Sequence, residues 1–402
     1  MNNATLRQNW AQTRLMVAST VLMLGMSFTA HATPAEAAKA KRIYDRIAGV
    51  PPSDTVLQNM VASLATDSSG ISAANIAIAN SPTFLSVTVK NMVMPWTNEE
   101  MTVFAPLNDT AATLIGMVRD DVDFRLALSG DIIYVPATGY SNSNNDAYVQ
   151  LENSDADLRS DSVLGRRVQS AITGLPTGAV AGVLTTRQSS RAYFIDGTNR
   201  AMFRFTMLNY LCNDLEKIKD TSRIPDRIRQ DVSRSPGGDS SVFLNTCMGC
   251  HAGMDGLAGG LARYQWSYTN DNPDAGSLSY DASNVQPKYL INSAVFPYGY
   301  ITTDDSWINR WRTGLNIRLG WGWANGEADP QVVTTGNGMK SLGVELANTL
   351  AFSRCQAINV YKTVCFSEPD DTTLGTLVNN FKLNNFHMRS LFAEAVASCS
   401  SP

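Results

Sequence analysis

NTCMGCHAGMDG, Asn245 to Gly256, is the stretch on which the reading of this chain turns, and its centre is Cys247-Met248-Gly249-Cys250-His251. Cys-x-x-Cys-His is the attachment pattern of a c-type haem. Two thiols add across the two porphyrin vinyl groups, and the imidazole that follows ligates the iron from one face. The three-residue step from Cys247 to Cys250 brings both sulfurs to one ring edge, and His251 follows directly on that tether. The expectation is one haem c, held covalently by Cys247 and Cys250, with His251 as the proximal iron ligand.

Two other chemistries use Cys-x-x-Cys. A zinc half-site needs two further ligands, and beyond residue 32 the chain holds only one other histidine, His387. A thioredoxin-like pair opens a helix after a buried strand, whereas this motif follows the exposed-looking segment SRSPGGDSS, Ser233 to Ser241.

Outward from the motif, the first 32 residues read as a secretory signal. Arg7 and Arg14 form a basic start, Leu15 to Ala30 is apolar, and Ala30-His31-Ala32 is an A-x-A cleavage site. Nothing later approaches the about 20 apolar residues of a membrane span. The mature chain is therefore expected to be periplasmic or secreted, with no span of its own. Export also favours haem, because c-type haem is attached on that side of the membrane.

The 32 Lys and Arg less the two of the leader leave 30 against 36 acidic residues, a balance of −6. That argues against nucleic acid and against an anionic membrane. It leaves room for a basic redox partner. With 44% hydrophobic residues the chain has material for two or three packed regions, far more than a minimal haem holder.

The pattern predicts a mainly α, multi-helix protein: a cytochrome c-like haem domain, a loop-rich insert and a C-terminal helical bundle. Residues 33–95 read as a helical unit. One helix ends at Gly49, a second is capped by Ser53, a third covers about 72–80 and a fourth about 82–94. Residues 96–213 are mixed but mostly helical, with a cap at Asn108 or Asp109, a short strand at 131–135, and a helical stretch at 157–172. In the same region GLPTGAVAGVLTTR, Gly174 to Arg187, is small enough to pack against another backbone, and Thr198 or Asp196 caps a helix over 199–212. Residues 214–340 form the haem region. There a helix over 257–264 is expected, and the loop-rich insert carries Trp307, Trp311, Trp321 and Trp323, either a wall for the haem or an ordinary aromatic core. Residues 341–402 read as four helices at about 341–351, 355–366, 371–381 and 386–398.

Removing the two haem cysteines leaves Cys212, Cys355, Cys365 and Cys399, an even number that in an exported chain predicts two disulfides. Cys355 and Cys365 lie ten residues apart on one helix, about 15 Å, beyond the about 7 Å a disulfide tolerates. An up-down-up bundle puts Cys365 and Cys399 at one end, which leaves Cys355 for Cys212.

The order of these features resembles that of large exported single-haem bacterial proteins related to the planctomycete-type cytochrome c domains. The residues that carry the resemblance are SRSPGGDSSVFLNTCMGCHAGMDG, the later ELANTLAFSRCQAINVYKTVCFSEPDDTTLGTLVNNF from Glu345 to Phe381, and the entry segment RIYDRIAGVPPS from Arg42. The resemblance implies covalent haem and export and leaves the reaction open. Gly256 stands where such proteins tend to carry proline.

Three functions then compete. The leading one is an electron carrier whose redox partner protein the sequence does not name. The second is a haem enzyme or sensor with an open iron position for peroxide, oxygen or another small ligand. The third is a binding protein stapled by its haem. With two histidines outside the leader and one Cys-x-x-Cys-His, neither a Ser-His-Asp triad nor a second haem is available. The discriminator is the far-side ligand. Met339, on the Gly-flanked loop TTGNGMKS, is the first candidate, with Met202 and His387 as alternatives; Met254 lies too close to His251, on its own side.

Overall fold

The computed structural model describes residues 33–194, 199–219, 243–289, 302–312 and 335–400. The expected leader, the candidate caps Asp196 and Thr198, Trp321 and Trp323 fall outside them.

The amino-terminal unit forms as its caps dictate. Thr33 and Glu36 make a reciprocal capping box on α1 (Pro34–Ala48), and Gly49 ends it in the left-handed region at φ 69°. Ser53 caps α2 (Asp54–Leu64), and α3 (Ile71–Asn80) follows. The fourth helix is continuous but not uniformly α: a π turn over Phe84–Val89, α4 (Lys90–Val93), and a 3₁₀ turn over Met94–Thr97 in which Pro95 lies.

Asn108 caps α5 (Asp109–Arg119) through a bond to the Ala111 amide, and ten of its eleven residues are buried. It is the middle region's central rod. Strand β1 (Ile133–Pro136) pairs antiparallel with β2 (Leu164–Arg167). This corrects the helical expectation over 157–172. The segment gives its backbone to β1, and only the short α7 (Gln169–Thr173) after it is helical, following α6 (Asp146–Asn153). Non-local pairing has overridden the local helical pattern. The small-residue segment does pack on backbone. Gly182 has φ 55°, and a Cβ there would lie 2.2 Å from the Ala127 carbonyl oxygen. Beyond it, α8 (Arg187–Tyr193) and α9 (Arg200–Leu211) follow, the latter starting at Asn199 rather than at either expected cap.

The haem-motif region differs most from expectation. Its helix, α10 (Met248–Ala258), begins inside the motif, on a π turn over Phe243–Cys247. The helix expected over 257–264 is instead a 3₁₀ turn (Gly259–Leu261) that leads into β3 (Tyr264–Ser267), paired with β4 (Ser277–Tyr280). A third ribbon joins β5 (Ser306–Ile308) to β6 (Thr335–Asn337).

The carboxy-terminal helices are α11 (Gly338–Ala347), α12 (Leu350–Cys365), α13 (Asp371–Leu383) and α14 (Met388–Ser398). Thr349 caps α12 five residues before the expected start, so Cys355 sits inside the helix, not at its end. The bundle does not stand alone. Its last helix packs on α3, Phe392 meets Phe84 edge-on at 5.1 Å, and Arg46 donates to the Cys399 carbonyl at 2.6 Å. One apolar core runs from Ala40 to Val396. The protein is mainly helical, and among the described residues no helix is long and apolar enough to cross a membrane.

Two disulfides close the frame, Cys212–Cys355 and Cys365–Cys399, paired as the bundle geometry required. They span 143 and 34 residues. Loop-closure entropy gives roughly 5 and 4 kcal/mol for such spans. Urea unfolding of Cys365→Ser/Cys399→Ser should therefore show a loss of roughly 4 kcal/mol, and non-reducing peptide maps of the parent should yield these two linked pairs and no Cys355–Cys365 peptide.

Candidate functional site

Cys247 occupies the position before the first residue of α10, and Cys250 lies one turn on. Residues three apart on a helix share a face, so the helical turn itself brings the two thiols to one side. Both are free and partly exposed. His251 follows, with 18% of its side chain exposed.

The ring of His251 is held from within the helix. Its Nδ1 lies 3.2 Å from both carboxylate oxygens of Asp255, four residues on. The Asp255 side chain is 1% exposed, and Arg200 Nε, from the first turn of α9, reaches its Oδ1 at 3.0 Å. A proton on Nδ1 satisfies the carboxylate and leaves the ring's lone pair on Nε2, which is the nitrogen a metal takes when a carboxylate holds the other.

A cavity of about 590 Å³ opens on this face, lined by Cys250, His251 and Met254 from α10. Arg200 and Arg204 line it from α9, and Asp214 and Glu216 from the turn after α9. Arg204 and Asp214 are bonded at 3.1 Å, which holds the Asp214 carboxyl below the usual range. Burial, and then the Glu216 carboxylate, push the Cys250 thiol up.

At about 100° per residue, Gly253 and Gly256 point to the other side of α10. That side meets the segment 306–311 at backbone distance. A Cβ on Gly253 would fall 2.2 Å from the Trp311 ring, and one on Gly256 would fall 2.9 Å from the Ile308 carbonyl oxygen. Gly256 therefore has a structural reason: proline there would clash with its neighbour and break α10. Trp311, against Gly253, and Trp307, against Gly260 just past the helix, are each 1% exposed, so they are core and do not line the cavity.

The three far-side candidates stand elsewhere. Met339 is buried in the first turn of α11, Met202 is buried on α9, and His387 occupies the N-cap position of α14 without a capping bond from its side chain. None lines the cavity, whereas Met254 lines it beside His251. Two residues that matter here escaped the sequence reading. Asp255 had a signal, since His251 and Asp255 stand at helical i, i+4 spacing. Arg200 had none, because only the fold brings α9 to α10.

The residues fit a covalent haem. Two free thiols outside the disulfides share a face, an oriented histidine follows them, and the volume lies within the about 300–1,000 Å³ of ordinary ligand sites. A thioredoxin-like pair fits less well. The motif does open a helix, but a π turn and not a strand leads into it. Among the described residues, no group of three His, Cys, Asp or Glu side chains is placed to hold a metal ion by itself. Comparisons with protein families, with curated proteins and with solved structures give no match to this chain.

The geometry predicts the Nδ1–H tautomer of His251 in the haem-free Cys247→Ala/Cys250→Ala protein. Imidazole ¹⁵N NMR at neutral pH checks this; a ring protonated on Nε2 alone would contradict it.

Proposed function

We propose that this chain is an exported monohaem c-type cytochrome that carries electrons to or from an oxidoreductase outside the cytoplasm. The observation that carries the reading is the placement, on the first turn of α10 and the residue just before it, of two free thiols and a histidine whose Nδ1 is held by a buried carboxylate. When bound, haem c supplies a one-electron couple between ferrous and ferric iron. Cys247 and Cys250 hold it, His251 offers Nε2 to the iron, and Asp255 fixes the ring that does so. The two disulfides and the leader support an oxidising compartment. The resemblance to exported single-haem proteins belongs to this proposal and supports the same cofactor. The balance of −6 suits a basic partner protein.

A second reading, a haem enzyme or sensor with an open iron position, is favoured by one observation: Met339, Met202 and His387 all stand outside the cavity that His251 lines. For the carrier reading Met339 is the first far-side candidate.

The visible spectrum of the exported protein separates the two. A carrier gives a ferric band near the red edge that marks Met–iron ligation, lost in Met339→Ala, and a ferrous form slow to take carbon monoxide. Survival of that band in Met339→Ala moves the ligand to Met202 or His387. Rapid carbon monoxide binding by the parent protein favours the enzyme or sensor.

A further inference from the structure

We propose that Asp255 and Arg200 form a pair of opposing charges that sets the reduction potential of the iron through His251. The inference rests on the haem reading and extends it to two residues outside the Cys-x-x-Cys-His motif.

Orientation alone does not call for a carboxylate here. A backbone carbonyl or a neutral side chain would hold the Nδ1 proton as well, and would avoid burying a charge. The chain instead places an Asp side chain, 1% exposed, with both oxygens 3.2 Å from Nδ1. A carboxylate draws the Nδ1 proton toward itself, and the ring becomes a stronger electron donor at Nε2. That favours the ferric over the ferrous state, so Asp255 lowers the potential. Burial makes the effect larger, because the charge acts with little water between it and the ring.

Arg200 works against it. Its Nε lies 3.0 Å from the same Oδ1, and a cation on the carboxylate weakens the pull on the histidine proton. Arg200 is 20% exposed, far more open than its partner. The two side chains therefore push the couple in opposite directions, and both act through one ring. Arg204 provides the internal control. It lines the same cavity from the same helix, but its partner is Asp214 and it has no bond to Asp255. Asp255 and Arg200 are positioning residues in this scheme, since neither is offered as an iron ligand.

The test is a spectroelectrochemical titration of the exported holoprotein and four variants. Asp255→Asn should raise the ferrous-to-ferric ratio at fixed potential about tenfold, an upward shift of about 59 mV for a one-electron couple. Arg200→Gln should shift the ratio the other way, by at least threefold. Asp255→Glu, which restores the charge, should return toward the parent value, and Arg204→Gln should move the ratio less than twofold. Where Asp255→Asn does not accumulate as folded protein, the sign of the Arg200→Gln shift decides. Haem-loaded variants with unchanged potentials would overturn the proposal. So would shifts of the same sign from Asp255→Asn and Arg200→Gln, which is what mere loosening of the site produces. An Arg204→Gln shift as large as that of Arg200→Gln would reduce the effect to diffuse cavity charge and also overturn it. A parent protein without covalent haem is a different failure, since it removes the haem reading itself.

Discussion

Burying the Asp255 carboxylate is the constraint on which the site's arrangement depends. An ionised group taken out of water is tolerated only when paired and hydrogen-bonded, and among the described residues two of its partners come from two helices. His251 is supplied by the same helix at i, i+4, and Arg200 by the first turn of α9. Meeting that requirement fixes α10 against α9, and so fixes the wall of the cavity. The Cys212–Cys355 disulfide anchors the far end of α9 to α12 and leads into the turn that carries Asp214 and Glu216. A charge pair at one end of α9 and a covalent link at the other thus hold one side of the cavity.

The second constraint is the close approach on the opposite side of α10. Gly253 and Gly256 admit the Trp311 ring and the Ile308 backbone, and Gly259 and Gly260 continue the contact toward Ser306 and α11. Side chains on this side would lift the helix off segment 306–311 and disturb the face that carries Cys250 and His251. The glycines of the motif region are thus as much a part of the site as its cysteines. One face is kept bare so that the other can be held still.

Much of this was legible in the sequence, and the reasons are physical. Caps announce themselves locally, so Gly49, Ser53 and Asn108 each mark a helix end that the structure keeps. The disulfide pairing followed from helical rise, which excludes Cys355–Cys365, together with the up-down-up order of the last three helices, even though α12 begins earlier than its pattern implied. What failed was non-local. Residues 164–167 became a strand because β1 lies beside them, and the chain after Ala258 turned into a ribbon because Tyr264–Ser267 finds Ser277–Tyr280. The Asp255–Arg200 pair was half legible, Asp255 by its spacing and Arg200 not at all. The amino-terminal and carboxy-terminal helices read as separate regions, yet they share one apolar core.

The measurement that bears most directly on the central claim is the intact mass of the mature, exported chain after acid–acetone extraction. A coloured polypeptide that retains a single haem is expected, with the added mass mapping to the peptide that carries Cys247 and Cys250. A colourless chain whose mass matches the polypeptide alone, with both thiols open to alkylation, would contradict it.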